Sequence, residues 1–527
     1  MTGVSIINRV AIGDIIRRSA RRFPDKIALV DENNDTLTFK QFEEKCNQFA
    51  NYLLDTGFNK GDSVVTICSN SIDFAVAIYG IVKAGLVWVP INPAISLSEK
   101  LYVLEKCEAK LILSDAEFLE GIVDQLLGVC DSILAIGGEN LVNVKSYSAA
   151  FKGQSSREPE VDINERDVAQ IMFTSGTTGN PKGVMISHLA VYIASLNNII
   201  EAEIRENDVG SVMMPMFHCA QHTLMTAMLN IGARVVIIKK FEPESFMETT
   251  EKNRISWVFA LPMMFAAVIN HPGRNQFDLG SLRYCMYAMA PMPKALLEKG
   301  IKELNCRFSL GSGQTEMYPA TVIFKPEYQM SKSGPYWGQP SLITDLEIMD
   351  EQGNLLPQGE VGEIVHRGPN VMSGYLKDQE ATRESHKYGW HHTGDLGYID
   401  EDGLLVFVER KKDMIKTGGE NVASIQVEHT IIAHEKVENV SVVGLPHSHW
   451  TEAVTAFVKP KAGVELSETE IIHYCKNHLG SFQVPKSVIF IEDFPMTTTG
   501  KIQKNILRKQ YNDYYQEQTI SKGVESK

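Results

Sequence analysis

The sequence predicts an α/β protein with mainly parallel sheets, and three observations support this. Short runs rich in β-branched residues alternate with stretches of helical periodicity along most of the chain, as they do in repeated strand–helix units. Hydrophobic residues make up 44% and charged residues 22% of the chain, which excludes disordered and fibrous classes. The length of 527 residues is enough for about three to four domain-sized units. We therefore expect a large N-terminal domain of mainly parallel sheets flanked by helices.

The individual elements follow from this alternation. Helices are predicted at residues 38–54 and 71–84, where the apolar positions recur with helical spacing. Strands are predicted at residues 63–68, 86–89, 110–113, 168–173, 234–238, 257–260 and 307–310.

One apolar stretch, residues 74–91, has about the length of a membrane span. Lys83 and Gly85 interrupt it, and Pro90 closes it. We interpret it as a buried helix that ends near Ala84 and is followed by a strand. The sequence therefore predicts no transmembrane segment here.

Near Thr344 the alternation of strand and helix patterns ends. Close-set strand patterns separated by EQG and EDG turns predict a small antiparallel β unit. Beyond Lys412 the chain becomes mixed again, with predicted strands at 437–444, 453–459 and 487–491 and a helix at about 467–479. We therefore predict two domains, residues 1–411 and a smaller α+β domain of residues 412–527.

Charge and cysteine content narrow the function classes. The chain carries 51 basic and 65 acidic residues, a formal charge of −14, which argues against nucleic acid as the main partner. Its eight cysteines are widely separated, which is typical of buried thiols in a reducing compartment. The first 26 residues lack the pattern of a secretory signal. We expect a soluble, cytoplasmic protein, and the sequence is compatible with a homodimer.

The most informative segment runs from Ile171 to His188, IMFTSGTTGNPKGVMISH. Its small residues let backbone N–H groups approach an anion, and its hydroxyl groups and one lysine add further donors. It lacks the Walker pattern G-x-x-x-x-G-K-[ST]. It also returns to a strand at 184–186 before Ser187 caps the next helix, whereas a Walker loop opens directly into a helix. A phosphate-binding loop is therefore favoured over a surface turn. The candidate binding residues are Thr174, Ser175, Gly176, Thr177, Thr178, Gly179 and Lys182.

Further segments follow this loop along the chain. They are GSGQTE at 311–316, HHTGDL at 391–396, ERKKDMI at 409–415, IKTGGENV at 415–422 and TTTGKIQK at 497–504. Each alone would be interpreted as an ordinary turn or as solvated surface residues. Their occurrence together in this order makes a shared function more plausible than for any one of them alone.

Together these segments closely resemble the signature motifs of acyl-adenylate-forming enzymes, the superfamily of acyl- and aryl-CoA synthetases, peptide-synthetase adenylation domains and beetle luciferases. The motifs stand in the family's order from about Phe39 to Arg508, and they suit the acyl-CoA and aryl-CoA synthetase branch, which includes fatty-acid–CoA ligases. The resemblance implies ATP and CoA as co-substrates and Mg²⁺ as cofactor. It also implies that the domain of residues 412–527 is mobile and rotates between two half-reactions.

The resemblance assigns roles on the phosphate side. Glu316 and Thr174 would hold Mg²⁺, because a carboxylate and a hydroxyl suit a hard cation that also bridges phosphate oxygens. Gln314 and Thr315 would contact the nucleotide. Lys182 would bind the phosphates and assist catalysis.

Other roles fall in the C-terminal part. Asp395 would accept hydrogen bonds from the ribose hydroxyls, and Arg410, fifteen residues later, would return beside it on a hairpin. Lys412 corresponds to the hinge, and Lys501 to the lysine that bridges carboxylate and α-phosphate during adenylation. Ser312 departs from the family, which has an aromatic residue there that stacks on adenine.

Two assignments concern CoA and the acid. Lys416, Gly418 and Gly419 resemble the segment that lines the pantetheine tunnel, with a flexible turn as the alternative. His218, a candidate catalytic residue, belongs to a P-x-F-H element at the mouth of the acid pocket. Eleven of the 20 methionines lie between residues 213 and 292, which favours an apolar acid, although core packing would explain most of them.

The leading functional interpretation is an ATP-dependent ligase. It would activate a carboxylic acid, a medium- or long-chain fatty acid or an aromatic one, as acyl-AMP with release of pyrophosphate and then transfer the acyl group to CoA. An alternative is a stand-alone adenylating enzyme that loads a carrier-protein thiol. A non-catalytic nucleotide- or acyl-binding regulator ranks third.

Overall fold

In the computed structural model the chain forms two compact units. The described residues are 9–138, 141–174, 181–288, 292–332, 334–496 and 502–516. The first unit takes its described residues from Met1–Leu346, Val365–His392 and Gly403–Leu405. The second takes them from Glu347–Ile364, Thr393–Asp402 and Val406–Lys527.

Strands and helices alternate in the order that the sequence predicts. The strands are β1 (Ile27–Val30), β2 (Thr36–Thr38), β3 (Ser63–Ile67), β4 (Val87–Pro90), β5 (Leu111–Asp115), β6 (Ile133–Ile136), β7 (Lys145–Ser146), β8 (Val168–Thr174), β9 (Lys182–Ser187), β10 (Val209–Val212), β11 (Arg234–Ile237), β12 (Trp257–Ala260), β13 (Tyr284–Tyr287), β14 (Arg307–Ser312), β15 (Val322–Phe324), β16 (Tyr336–Pro340), β17 (Asp345–Met349), β18 (Gly362–Arg367), β19 (Gly374–Tyr375), β20 (His391–Ile399), β21 (Leu405–Arg410), β22 (Ile415–Thr417), β23 (Glu420–Val422), β24 (Val437–His447), β25 (Thr451–Pro460) and β26 (Ser487–Phe490).

Helices lie between these strands. They are α1 (Gly13–Arg22), α2 (Phe39–Asp55), α3 (Ile72–Lys83), α4 (Leu97–Lys106), α5 (Val123–Leu127), α6 (His188–Glu201), α7 (Cys219–Ile231), α8 (Pro243–Asn253), α9 (Pro262–Ile269), α10 (Lys294–Leu304), α11 (Gln379–Ser385), α12 (Ser424–Ile432), α13 (Glu468–Lys476) and α14 (Lys504–Gln510).

In the first unit the described strands form two largely parallel arrays. One has the order β2–β1–β11–β10–β12–β13–β14–β15–β16, parallel from β1 to β14 and antiparallel at both ends. The other has the order β19–β9–β8–β4–β3–β5–β6–β7, parallel from β8 to β7. The predicted fold class is confirmed.

Helix α3 shows why the long apolar stretch belongs to the core. Ser71 caps it by accepting a hydrogen bond from the Phe74 N–H at 3.0 Å, and buried residues lie on every side of the helix. Gly85, with φ of 71°, then turns the chain into β4. Across the described residues, no helix has both the length and the apolar character needed to span a membrane.

The second unit is α+β. Strands β17, β18, β20 and β21 lie side by side in that order. A further sheet has the order β23–β22–β25–β24, with β26 parallel to β25. Helices α12 and α13 pack on each other and contribute to a core of valines and isoleucines. The predicted division at residues 411 and 412 stays a prediction.

Cysteine placement agrees with the expectation from the sequence. All eight thiols are free and buried. Cys285 and Cys306 lie closest together among the described contacts, with their sulfur atoms 3.4 Å apart in a hydrogen bond. They behave as small core residues.

Candidate active site

The phosphate loop is carried by a hairpin. Strand β8 ends at Thr174 and β9 begins at Lys182, and these two residues are paired across the hairpin. Ser187 then caps α6 by accepting a hydrogen bond from the Ala190 N–H at 3.2 Å, as predicted. Both ends of the loop are therefore held on one rigid ladder. The loop residues Ser175, Gly176, Thr177, Thr178 and Gly179 lie outside the described residues.

The Glu316 turn follows β14. Residues Thr315–Met317 form a single-turn 3-10 helix, which packs against β9. The buried Asn370 amide donates hydrogen bonds to the carbonyl oxygens of Met317 at 2.8 Å and Tyr318 at 3.2 Å. The Met372 N–H donates to the Glu316 carbonyl oxygen at 2.8 Å. These bonds fix the turn that presents Glu316, Gln314 and Thr315.

Tyr375 connects this turn with the phosphate hairpin, and sequence reasoning missed it. Its hydroxyl donates a hydrogen bond to Glu316 Oε1 at 3.0 Å. Lys182 Nζ lies 4.9 Å from the centroid of its ring. Strand β19 pairs with β9, so that Tyr375 stands opposite Val184. Burial raises the pKa of the Tyr375 phenol and the Glu316 carboxylate raises it further, which keeps the phenol a donor.

Oxygen donors make this region suitable for Mg²⁺. The Glu316 carboxylate and the Thr174 hydroxyl are hard ligands, and Glu316 keeps a carboxylate oxygen besides the one that accepts from Tyr375. Within the described ranges, no group of three or more His, Cys, Asp or Glu side chains could hold a metal ion. Mg²⁺ at phosphate-transfer sites is commonly held by one or two protein ligands together with substrate phosphates, so the residues present fit this cation.

The P-x-F-H element lies between β10 and α7. Asn70 braces it, since its amide donates to the Met214 carbonyl oxygen at 3.0 Å and its oxygen accepts from the Met216 N–H at 2.8 Å. His218 is exposed and caps α7, with Nδ1 accepting from the Ala220 N–H at 3.3 Å. Cys219 Sγ lies 3.5 Å from Thr315 Oγ1. The structure therefore brings this element to the Glu316 turn.

The methionines between residues 213 and 292 are mostly core residues. Met216, Met225 and Met228 are fully buried, and they pack in the main hydrophobic cluster. Among the described methionines of this segment, Met214 and Met264 are partly buried and Met263 is 68% exposed. The region is apolar, as expected, and core packing explains most of this composition.

A buried polar cluster lies one helical turn beyond His218. His222 Nδ1 is 2.6 Å from the Tyr318 hydroxyl and 3.3 Å from Gln170 Nε2. Burial lowers the pKa of His222 to about 3. The imidazole is therefore neutral, and the cluster ties α7 to the segment after the Glu316 turn.

The ribose motif lies in the second unit. Strands β20 and β21 form the predicted hairpin, and Gly403 in its turn has φ of 77°. Arg410 Nε lies 3.2 Å from Asp395 Oδ1, and Asp395 is 2% exposed. The Lys411 N–H donates to the Gly394 carbonyl oxygen at 2.9 Å. The spacing of the two motifs thus predicted their juxtaposition.

The KTGGEN segment forms a tight hairpin. Gly418 and Gly419 connect β22 to β23 with φ of 59° and 88°, the signs that a type I′ turn requires at both central residues. A Cβ atom on Gly418 would lie 3.0 Å from the Trp450 ring, so a substitution there strains the turn whatever the role of the segment. Lys416 is exposed on β22.

A buried charged network lies beside the predicted hinge. Lys412 follows β21 on the surface, and Glu409, three residues earlier, accepts hydrogen bonds from Ser424 Oγ and from the Ile425 N–H. Lys504 Nζ donates to Ser424 Oγ at 2.6 Å and pairs with Glu428 Oε1 at 2.9 Å. Lys501, three residues before Lys504, lies outside the described residues.

The structure therefore gathers the predicted residues in two groups. Thr174, Lys182, Glu316 and the turn before Glu316 meet in the first unit, and His218 joins them through Cys219. Asp395 and Arg410 meet in the second unit.

Two family models match the chain. The model described as AMP-binding enzyme matches residues 16–376. The model described as AMP-binding enzyme C-terminal domain matches residues 426–501.

Relatives with established names match over almost the whole length. A feruloyl-CoA synthase from Amycolatopsis sp is 31% identical over 495 residues, which cover 94% of this chain and 98% of the relative. The long-chain-fatty-acid–CoA ligase FadD13 of Mycobacterium tuberculosis is 31% identical over 502 residues, covering 95% and 98%. The crystal structure of ATP-bound MatB from Rhodopseudomonas palustris has a TM-score of 0.87 at 27% identity, covering 95% of this chain and 99% of that one.

Proposed function

Because the chain belongs to the AMP-binding enzyme family and is an acid–thiol ligase of the acyl-CoA synthetase branch, we propose that it activates a mostly apolar carboxylic acid with ATP and passes the acyl group to CoA. The acid would be a medium- or long-chain fatty acid or an aromatic acid. The observation that carries the proposal is the connection of the phosphate hairpin to Glu316 through Tyr375. It supplies positive charge and a carboxylate on one rigid support.

In the first half-reaction a carboxylate oxygen attacks the α-phosphorus of ATP. The bond from that phosphorus to the bridging oxygen of pyrophosphate breaks, and pyrophosphate leaves with the electron pair. The enzyme contributes mostly positioning and charge neutralisation. We assign the phosphates to Lys182 and the loop 174–179, with Gln314 and Thr315 on the nucleotide. Lys501 would meet the charge between the carboxylate and the α-phosphate.

Mg²⁺ is part of this proposal. Glu316 and Thr174 would hold it, and when bound it would neutralise phosphate charge. The Tyr375 hydroxyl bond at 3.0 Å orients the Glu316 carboxylate for that task.

In the second half-reaction the CoA thiolate attacks the acyl carbon of the acyl-AMP. The carbon–oxygen bond to AMP breaks, and AMP leaves as an anion. We propose that residues 1–411 form the adenylation domain and that residues 412–527 form the domain that turns about Lys412 between the two steps. Lys416, Gly418 and Gly419 would line the path of the thiol, and Asp395 and Arg410 would hold the ribose.

The apolar character of the acid is inferred from the surroundings of His218. The segment 213–217 before it contains three methionines and a phenylalanine, and Cys219 at the start of α7 is buried. An apolar chain or ring gains free energy from leaving water in such a place, about 25 cal/mol per Å² buried. A small polar acid such as acetate gains little.

A panel of carboxylic acids tests the proposal. The full chain is incubated with ATP, Mg²⁺ and each acid, with and without CoA, and pyrophosphate, AMP and thioester are measured. We expect pyrophosphate release with medium- or long-chain or aromatic acids to exceed release with acetate, and thioester to form only with CoA. A preference for acetate or for a highly charged acid would contradict the acid class, and no pyrophosphate with any acid would contradict the function.

The acceptor is tested separately. A carrier protein bearing a phosphopantetheine arm replaces free CoA in the same assay. We expect thioester on free CoA at a rate at least tenfold above that on the carrier protein, because relatives that match almost the whole chain are named a CoA synthase and a CoA ligase. The opposite ranking would replace CoA by a carrier thiol and leave the first half-reaction intact.

A further inference from the structure

A short strand far from both motifs in sequence touches each of them. Strand β19 hydrogen-bonds to β9, with the Ser373 N–H donating to the Met185 carbonyl oxygen and the Leu376 N–H to the Gly183 carbonyl oxygen, both at 2.8 Å. Tyr375 stands between them. Its backbone N–H donates to Thr382 Oγ1 at 2.9 Å, which fixes the residue from its other side.

The side chain of Tyr375 offers two different contacts. Its hydroxyl donates to Glu316 Oε1 at 3.0 Å, which engages one oxygen of the carboxylate. Its ring lies under the Lys182 ammonium at 4.9 Å, a distance at which a cation is attracted by the ring face. One residue therefore constrains a candidate metal ligand and a candidate phosphate ligand at the same time.

We expect Tyr375 to act through the two side chains that it contacts, Glu316 and Lys182. A carboxylate whose rotation is blocked by a phenol loses less entropy when it binds a cation. An ammonium group resting on a ring keeps its N–H donors available for an anion. Neither effect requires Tyr375 to touch ATP.

We propose that Tyr375 is a positioning residue that couples the binding of Mg²⁺ to the binding of ATP by holding Glu316 and Lys182 in register. This rests on the proposed function, since it takes Glu316 as the metal ligand and Lys182 as the phosphate ligand. Groups that orient a metal ligand are commonly worth a factor of about ten or more in metal affinity. The phenol and the ring have separable roles.

The test measures binding rather than turnover. The dissociation constant of a non-hydrolysable ATP analogue, α,β-methylene-ATP, is measured by calorimetry with and without Mg²⁺ for the full chain. The ratio of the two constants reports how strongly the metal and the nucleotide are coupled. Tyr375→Phe keeps the ring and removes the hydroxyl, and Tyr375→Leu removes both.

For Tyr375→Phe we expect the ratio to fall about tenfold, while the constant without Mg²⁺ stays within about twofold of wild type. For Tyr375→Leu we expect the constant without Mg²⁺ to weaken as well, about three- to fivefold. In turnover assays, high Mg²⁺ should restore kcat of Tyr375→Phe, which a damaged fold would not allow. A ratio that stays at the wild-type value in Tyr375→Phe would overturn the proposal.

Tyr147→Phe is the matched control. Its hydroxyl also donates a hydrogen bond from a buried position, to the Asp73 carbonyl oxygen at 3.2 Å, but it contacts neither motif. Its ratio should equal the wild-type ratio. If wild type neither binds the analogue nor releases pyrophosphate with any acid, the proposed function fails as well, whereas an active wild type with an unchanged Tyr375→Phe ratio overturns this inference alone.

Discussion

Each unit of the protein holds a lysine beside two carboxylates, and the lysine is fully buried in the first unit and partly buried in the second. In the first unit Lys83 Nζ lies 2.9 Å from Glu43 Oε1 and 2.7 Å from Glu158 Oε2. In the second, Lys504 Nζ lies 2.9 Å from Glu428 Oε1 and reaches Glu409 through Ser424.

The difference lies in what each network joins. The Lys83 network ties α2 and α3 to the segment before β8, and none of its members belongs to the candidate site. The Lys504 network ties the residues just before the proposed hinge to the helix that begins three residues after Lys501. A buried ion pair by itself adds little net stability. The position of the ion pair therefore decides whether its loss affects only stability or also the rate of the reaction.

The largest expected difference between the two units is in their stability at acidic pH. Burial lowers the pKa of four histidines of the first unit strongly, His188 and His366 to about 4 and His222 and His391 to about 3. In the second unit burial lowers the pKa of His429 and His447 by less. The unfolded chain protonates them near pH 6.5, before the folded chain does. Stability is therefore lost as the pH falls from about 6.5 toward these values, by at most about 1.4 kcal/mol per pH unit for each histidine, or about 6 kcal/mol per pH unit for all four.

Urea unfolding at pH values of about 6 and about 5 measures this loss of stability. Hydrogen exchange at the same two pH values shows in which unit the loss occurs. Exchange in the first unit should rise before exchange in the second. His366→Gln should reduce the slope by about one quarter, and His473→Gln, which changes an exposed histidine on α13, should leave it unchanged. If hydrogen exchange rose equally in both units on acidification, the predicted difference between the units would be wrong.

Removal of Lys501 should slow only the first half-reaction. Lys501→Ala deletes the charge that we assign to the transition state of adenylation, so pyrophosphate release should fall by about two to three powers of ten. Thioester formation from preformed acyl-AMP should stay near the wild-type rate. Lys509→Ala, an exposed change on α14, is the control and should alter neither step.

Lys416→Glu is the complementary change. It places a negative charge on exposed β22, beside the path that we assign to the CoA thiol arm, so it should slow thioester formation and spare pyrophosphate release. This change avoids the strain that a side chain at Gly418 would introduce. If Lys501→Ala and Lys416→Glu each slow both steps equally, rotation of the 412–527 domain is wrong for this protein.

Replacing each of the two lysines tests the comparison itself. Lys83→Met leaves Glu43 buried without its cation and should cost about 3 kcal/mol of stability, with kinetic constants unchanged. Lys504→Met should cost less, because Lys504 is only partly buried. It should also slow the first half-reaction about tenfold, because the helix that follows Lys501 in the chain loses an anchoring contact. Chemical unfolding and half-reaction rates measure both.

Double variants provide the controls. Lys83→Met with Glu43→Gln, and Lys504→Met with Glu428→Gln, remove the unpaired carboxylate and should recover part of the stability. Only the second pair should still be slow in adenylation. A slow Lys83→Met enzyme would remove the distinction between the two networks.

Ser312→Tyr should have the smallest effect. Ser312 is half-buried at the end of β14 and uses its carbonyl oxygen to accept from the Thr321 N–H at 2.9 Å, a bond that a tyrosine would keep. A ring there could stack on adenine, so the KM for ATP should stay the same or fall by about threefold. Ser312→Ala should change nothing. A large loss of activity in a folded Ser312→Tyr protein would show that the site is built around a small residue.

Local pattern sufficed for the elements and for the order of the motifs. Strand β12 matches its prediction at both ends, because the polar Ser256 precedes it and Pro262, two residues after it, begins α9. The pairing of Asp395 with Arg410 followed from a hairpin whose two strands and Asp-Gly turn are contiguous. Contacts of this kind are encoded within about twenty residues.

Contacts between segments that are distant along the chain could not be predicted from the sequence. Tyr375 lies on a two-residue strand that pairs with β9 almost two hundred residues earlier, and no local pattern specifies such a partner. Asn370, which holds the Glu316 turn, was missed for the same reason. For Gly418 the composition left a tunnel and a turn open, and only the positive φ values show the local conformation.

The central claim is that the carboxylate oxygen attacks the α-phosphorus, and oxygen transfer tests it most directly. The best acid of the panel is prepared with ¹⁸O in both carboxylate positions and turned over with ATP and CoA, and the AMP is analysed by mass spectrometry. Attack at the α-phosphorus leaves one labelled oxygen on AMP when the thiol takes the acyl group, so AMP should be heavier by one ¹⁸O and pyrophosphate should carry no label. Unlabelled AMP, or label in another phosphate product, would contradict the account.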